Sequence, residues 1–137
     1  MKYQWANKSV LFAEDDEASA LYITELLNLY QATVIHCVSG LAALTYVLNG
    51  NPVDLVLMDM KLPELNGFET TRMIKHCMPS LPVIAVTACA MLEDRRRCAD
   101  AGCDGYLSKP VMPEEILPMV HSFLNRQQTS SYAGIVV

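Results

Sequence analysis

The sequence lacks the features that would send it to a membrane, to nucleic acid or through a secretion pathway. No stretch approaches the roughly 20 consecutive apolar residues needed to span a bilayer, and residues 1–8 are too polar to hold the apolar core of a signal peptide. Basic residues are outnumbered, 10 Lys and Arg against 15 Asp and Glu, giving a formal charge of -5 and a pI near 5.0. Nucleic-acid binding rests on neutralising phosphates with Lys and Arg, so a general nucleic-acid binder is excluded and cations or proteins are the expected partners. Paired cysteines are missing too. Cys37, Cys77, Cys89, Cys98 and Cys103 are odd in number and form no C-x-x-C, which suits free thiols in a reducing cytoplasm. A zinc site would need Cys98, Cys103, His36 and His76 to converge from scattered positions, and His36, His76 and His121 share no spacing, so none is expected. There is no low-complexity segment, and 137 residues leave no room for a second regulatory or catalytic domain. One soluble, cytoplasmic domain is the expectation.

What is present is an ordinary globular composition, 52% apolar and 18% charged, arranged around residues 53–63. There Val53-Asp54-Leu55-Val56-Leu57-Met58 ends on Asp59 and is followed at once by the loop Met60-Lys61-Leu62-Pro63. An unbroken apolar run of this length reads as a parallel strand buried on both faces. The C-terminal tip of such a strand is where ligands collect in open α/β sheets, which places Asp59 where a reacting carboxylate is wanted.

The rest of the chain repeats the pattern. Residues 10–13 are an apolar run ending in Glu14-Asp15-Asp16-Glu17, and Ala18, Leu21, Tyr22, Leu26, Leu29 and Tyr30 then recur at helical spacing. Residues 32–36 are β-rich, and Ser39-Gly40 opens a helix that Gly50-Asn51-Pro52 stops. After Asp59, the Pro, Asn and Gly of residues 61–67 mark a tight loop and residues 68–77 resume helical spacing. Residues 82–87 read as a fourth strand, 91–101 as a helix closed by Gly102, 104–109 as a fifth strand, and Pro113-Glu114-Glu115 as the start of a last helix running toward Arg126. Pro118 is expected to kink or delay that helix. Five alternating strands and helices predict a flavodoxin-like, doubly wound (βα)5 fold with a parallel sheet in the order 2-1-3-4-5. The expected organisation is a leader over 1–8, the domain over 9–126 and a flexible tail over 127–137.

In that topology Glu14 and Asp15, Asp59, Thr87 and Lys109 stand at the tips of four strands around one crevice. Gathered carboxylates repel, so the cluster calls for raised pKa values or a hard cation such as Mg²⁺, while a Thr hydroxyl and a Lys ammonium facing the same place suit the oxygens of a phosphoryl group. The combination describes phosphoryl transfer onto a carboxylate. Singly, each residue has a plainer reading: Asp59 as a cap on its loop, Glu14 and Asp16 as charge complements to a helix start with Asp16 simply solvated, Thr87 as a β-former, Tyr106 as a half-buried strand residue. Arg95-Arg96-Arg97 reads as a wet helix face. Convergence of the tips favours the functional reading for Asp59, Asp15, Thr87 and Lys109.

The segments VLFAEDDE, DLVLMDMKLPELNGFE, AVTACA and AGCDGYLSKP, each at the end of a predicted strand and all in order, resemble the receiver domains of two-component response regulators. The likeness covers residues 9–125 and is strongest to the receivers of hybrid sensor histidine kinases. It implies that Asp59 accepts a phosphoryl group from a phosphohistidine on a histidine kinase or histidine phosphotransfer protein, forming an acyl phosphate. It implies Mg²⁺ held directly by Asp15, through water by Glu14, by Asp59 and by the backbone carbonyl of Lys61. Thr87 would hydrogen-bond the phosphoryl oxygen, with small Ala88 leaving the approach open, and Lys109 would pair with the group next to a cis Lys109-Pro110 bond. Tyr106 would be the switch aromatic of an output face built from the fourth helix, fifth strand and fifth helix. The chain departs from the usual family pattern in its Glu-Asp rather than Asp-Asp pair, in Ser19 where hybrid-kinase receivers often carry Asn, and in Cys89, two residues after Thr87. The rival enzyme is a haloacid-dehalogenase-like Mg²⁺ phosphatase with Asp59 as nucleophile. Those enzymes carry D-x-D there, and Lys61 takes the place of the second acid. A receiver that binds partners without phosphorylation is the third reading, but no essential position is missing.

Overall fold

A computed structural model describes residues 3–88 and 91–136, with side chains as far as residue 125. The chain alternates β1 (Ser9–Ala13), α1 (Glu17–Asn28), β2 (Thr33–Cys37), α2 (Gly40–Leu48), β3 (Leu55–Asp59), α3 (Gly67–Cys77), β4 (Val83–Thr87), α4 (Leu92–Ala101), β5 (Gly105–Ser108) and α5 (Pro113–Val136). All neighbouring strands are parallel, in the order β2-β1-β3-β4-β5. This is the doubly wound arrangement expected from the sequence, with β1 and β3 side by side at the switch point.

Strand periodicity divides the core in two. Val10, Phe12, Leu55, Leu57, Ile84 and Val86 face α1 and α5, and Leu11, Ala13, Val56, Met58, Val83 and Ala85 face the side of α2, α3 and α4. Every residue of β3 and β4 is buried, which is why these strands read as unbroken apolar runs. The two outer strands are weaker signals because their faces are partly exposed. Helix starts are fixed by caps: Asp16, Ser39 and Asn66 accept from the backbone N–H groups of Ser19, Ala42 and Glu69 at 2.9, 3.0 and 2.9 Å. Asp16 is therefore exposed, as expected, but does local work as well.

The residues ahead of β1 pack into the fold. Tyr3 and Trp5 are 7% and 2% exposed, stack at 5.1 Å between ring centroids, and close over Tyr30 and His121 at the N-terminal edge of the sheet. Trp5 Nε1 donates to His121 Nδ1 at 3.3 Å, so the indole polar atom has a partner. At the other end of the chain α5 begins at Pro113 and runs through Pro118 without delay, continuing past Arg126 to Val136. Pro118 lies in the second turn, where it removes a single backbone bond, the one that would reach Glu114. The side chains expected to form a loose tail lie outside those described.

Candidate functional site

The C-terminal edge of the sheet gathers the acids. Parallel pairing of β1 with β3 brings the residue after Ala13 beside Asp59, since Ala13 pairs with Met58. Ligand oxygens of Glu14, Asp15 and Asp59 all lie within 4.8 Å of one another. Glu14 is fully buried and Asp59 5% exposed, while Asp15 faces solvent. No other comparable group of His, Cys, Asp and Glu exists among the described residues. Cys98, Cys103, His36 and His76 form no such group.

Lys109 supplies the countercharge. Its Nζ lies 2.7 Å from Glu14 Oε1 and 3.0 Å from Asp59 Oδ2, crossing from the end of β5 to bridge β1 and β3. The remaining oxygens are met by the backbone: Asp16 N–H donates to Glu14 Oε2 at 3.2 Å and Lys61 N–H to Asp59 Oδ1 at 3.1 Å. The Lys109-Pro110 peptide is cis, and Lys109 N–H donates to the Thr87 carbonyl at 2.9 Å. Thr87 itself is 2% exposed at the tip of β4.

Electrostatics follow from burial and spacing. Burial pushes the Glu14 carboxyl up, the nearby Asp59 pushes the same way, and the Lys109 ammonium and the Asp16 N–H only partly oppose them. Burial draws the Lys109 ammonium down, but its bonds to Glu14 and Asp59 outweigh this and leave it raised. The Asp16 carboxyl is held down by the Ser19 N–H it caps. The site is thus an acid cluster whose protein-borne cation is Lys109.

Concave surface lies on two sides. A cleft of 640 Å³ runs from Glu14 and Lys109 along Ser19, Tyr22 and Met112, and a smaller one of 240 Å³ passes Lys61, Thr87 and Arg97. The larger is mostly apolar and takes in Glu14 and Lys109 but not Asp15 or Asp59, so the acid cluster sits at its rim.

All five predicted tip residues, Glu14, Asp15, Asp59, Thr87 and Lys109, lie at that edge. Lys61 is exposed, and its N–H is on Asp59. Ala88 is exposed just beyond β4, and Cys89 lies outside the described residues. Tyr106 is half-buried on β5 with the Arg95 guanidinium 4.8 Å from its ring centre, and Arg97 stands 4.0 Å over Phe68. The expected wet face of arginines is exposed but also stacks on neighbouring rings. Sequence reading weighed His36 only as a remote zinc ligand and missed its place here, with Nε2 2.6 Å from the Glu14 carbonyl. The available signal was its place at the tip of β2 in the strand order.

The family model for the response regulator receiver domain matches residues 10–121. The chain belongs to this family. Among similar curated proteins, the polar-differentiation response regulator DivK of Brucella ovis is 38% identical over 119 residues, which is 85% of this chain and 96% of that protein. Among solved structures, a CheY-like receiver domain protein from Methanospirillum hungatei superposes with a TM-score of 0.84 at 28% identity, covering 90% of this chain and 98% of that one. The receiver domain of a sensor histidine kinase from Pseudomonas aeruginosa, described with a magnesium ion coordinated in its active-site cleft, superposes with a TM-score of 0.80 at 30% identity, over 88% of this chain and 99% of that one. This receiver domain is accordingly a two-component signalling module, and the dehalogenase-like alternative is not favoured. No helix of the described residues is long and apolar enough to cross a membrane.

Proposed function

We propose that the receiver is a Mg²⁺-dependent phosphoacceptor, phosphorylated on Asp59 by a histidine kinase or histidine phosphotransfer protein in the cytoplasm. The observation that carries this reading is the convergence of Glu14, Asp15 and Asp59 within 4.8 Å, with Lys109 bonded to both buried acids. The donor set fits Mg²⁺, which takes hard oxygen ligands from a few carboxylates and keeps several waters. Asp15, Asp59 and the Lys61 carbonyl would hold it, with Glu14 contributing through water. When bound, it supplies positive charge against the oxygens of the acids and of the phosphoryl group.

In the transfer, an Asp59 carboxylate oxygen attacks phosphorus and the P–N bond of the phosphoimidazole breaks. The electron pair stays on the imidazole nitrogen, whose other ring nitrogen carries the proton, and the acyl phosphate remains on Asp59. Lys109, 3.0 Å from Asp59 Oδ2, would meet a phosphoryl oxygen, and the Thr87 hydroxyl would donate to another. A dianionic group at this edge biases the loop after β4 and the α4-β5-α5 face, where Tyr106 turns inward as Thr87 moves and a protein target reads the change. The reading takes residues 9–126 as the receiver unit, with a leader over 1–8, of which Tyr3 and Trp5 are buried, and a tail over 127–137.

Acetyl phosphate with Mg²⁺ is expected to add one phosphoryl mass to the protein, and neither chelation of the metal nor Asp59→Asn should leave that mass. Equal labelling of Asp59→Asn, or none of the wild type, would sink the proposal. Steady turnover of a small phosphate ester would instead restore the enzyme reading.

A further inference from the structure

We infer that His36 is a positioning residue for the acidic pair, holding the Glu14 carbonyl so that Glu14 and Asp15 present their carboxylates to one cation. The inference rests on reading those acids as cation ligands. It starts from strand register: Phe12 pairs with His36 and Ala13 with Cys37, so the tip of β2 lies beside the start of the β1–α1 loop. Two successive residues of that tip grip Glu14. Its N–H donates to the Cys37 carbonyl at 2.9 Å, and its carbonyl lies 2.6 Å from His36 Nε2.

A carbonyl oxygen can only accept, so the ring nitrogen must be the donor and Nε2 must carry the proton. The peptide unit joining Glu14 to Asp15 is planar, so fixing its oxygen fixes the plane and with it the Asp15 N and Cα. That matters most for Asp15. Glu14's oxygens are tied to Lys109 and to the Asp16 N–H, whereas the exposed Asp15 carboxylate accepts no hydrogen bond among the described residues and takes its aim from the backbone. His36 is itself exposed, with the Phe12 ring centre 6.4 Å away and tilted, and its contact with the Glu14 carbonyl is the hydrogen bond that orients the ring. Partners that orient metal ligands in this way change metal affinity by about tenfold or more when removed.

The test compares wild type, His36→Ala and His36→Gln, because the Gln amide can place an N–H where Nε2–H stands. At pH 8, ¹⁵N spectra of the wild-type ring should show the Nε2–H tautomer. Magnesium titrations followed by the Asp15 amide resonance should give affinity about tenfold weaker for His36→Ala and within about threefold of wild type for His36→Gln. Thermal melts check that the variants are folded, and should His36→Ala fail to fold, the tautomer and the Gln variant decide. An Nδ1–H tautomer, equal Mg²⁺ affinity in His36→Ala and wild type, or no recovery in His36→Gln overturns the inference while the metal reading stands. Absence of Mg²⁺ binding by the wild-type chain overturns the metal reading and this inference with it.

Discussion

Replacing Lys109 by Met tests the charge logic of the site directly. The ammonium is bonded to a fully buried Glu14 and to Asp59 at 2.7 and 3.0 Å, so its loss leaves two carboxylates facing each other without a countercharge. Breaking a buried ion pair costs about 3–5 kcal/mol. The Lys109 side chain is 25% exposed, so solvent screening reduces the expected cost to about 2–3 kcal/mol at pH 8 without metal. The pH dependence has a definite sign. Glu14 is raised in the folded state, so the fold binds more protons than the unfolded chain above the ordinary value of 4.5, and stability falls as pH rises through that window. Loss of Lys109 removes the strongest group holding Glu14 down, so the variant should lose more stability with rising pH than wild type does and converge toward it near pH 5. Raised Lys109 acts with the same sign at higher pH: its stabilisation is complete below 10.5 and is lost as pH rises above that, in strong alkali. Urea unfolding followed by the fluorescence of Trp5, which is 2% exposed at the far edge of the sheet, reads global stability without touching the site. A variant within about 0.5 kcal/mol of wild type at pH 8, or one whose deficit does not shrink toward pH 5, would refute Lys109 as the countercharge.

Gly67→Ala should cost about 2 kcal/mol or more and slow labelling of Asp59, because the new Cβ would run into the Asp59 carbonyl and the Met60 Cα, main-chain atoms that cannot turn aside; equal stability by urea titration would count against it. Trp5→Ala should cost about 3–5 kcal/mol in urea unfolding followed by circular dichroism, since the ring is buried against Tyr3 and Tyr30, and a loss under about 1 kcal/mol would show that the leader does not belong to the core. Iodoacetamide at pH 8 should modify exposed Cys77 well before Cys103, whose thiol burial and the adjacent Cys98 push up to about 12; peptide mapping that finds Cys103 alkylated as fast would contradict that environment.

The sequence made the sheet legible where strands are buried on both faces. β1, β3 and β4 are continuous apolar runs closed by polar tips, and each tip residue marks the place where a strand leaves the core. The same cause made Glu14, Asp59 and Thr87 readable, because a polar residue directly after such a run is forced to the edge of the sheet. Features that depend on contacts between distant elements left no local trace. Tyr3 and Trp5 have no periodicity to reveal their burial, which needs Tyr30 from the turn after α1 and His121 from α5. The His36 contact needs the register of β2 on β1, and the stacking of Arg95 on Tyr106 needs α4 beside β5. How Lys109 divides itself between Glu14 and Asp59 is likewise a property of the assembled edge and of no single motif.

That division bears on how the site takes a cation. Each oxygen of the two buried acids already has a donor: Lys109 and the Asp16 N–H on Glu14, Lys109 and the Lys61 N–H on Asp59. On the proposed reading, binding of Mg²⁺ would be an exchange in which the ammonium yields oxygens and tolerates a second positive charge close by, and the affinity of the wild-type site would be held down by its own lysine. Lys109→Met removes that competitor. It should bind Mg²⁺ up to about tenfold more tightly at pH 8, regain most of its lost stability at saturating metal, and still accept the phosphoryl group from acetyl phosphate more slowly, because nothing replaces the ammonium beside Asp59. Metal titration and labelling kinetics on the same preparation separate the two effects. Tighter metal binding with slower labelling assigns Lys109 to the phosphoryl group, whereas weaker metal binding would show that it organises the acids for the cation instead.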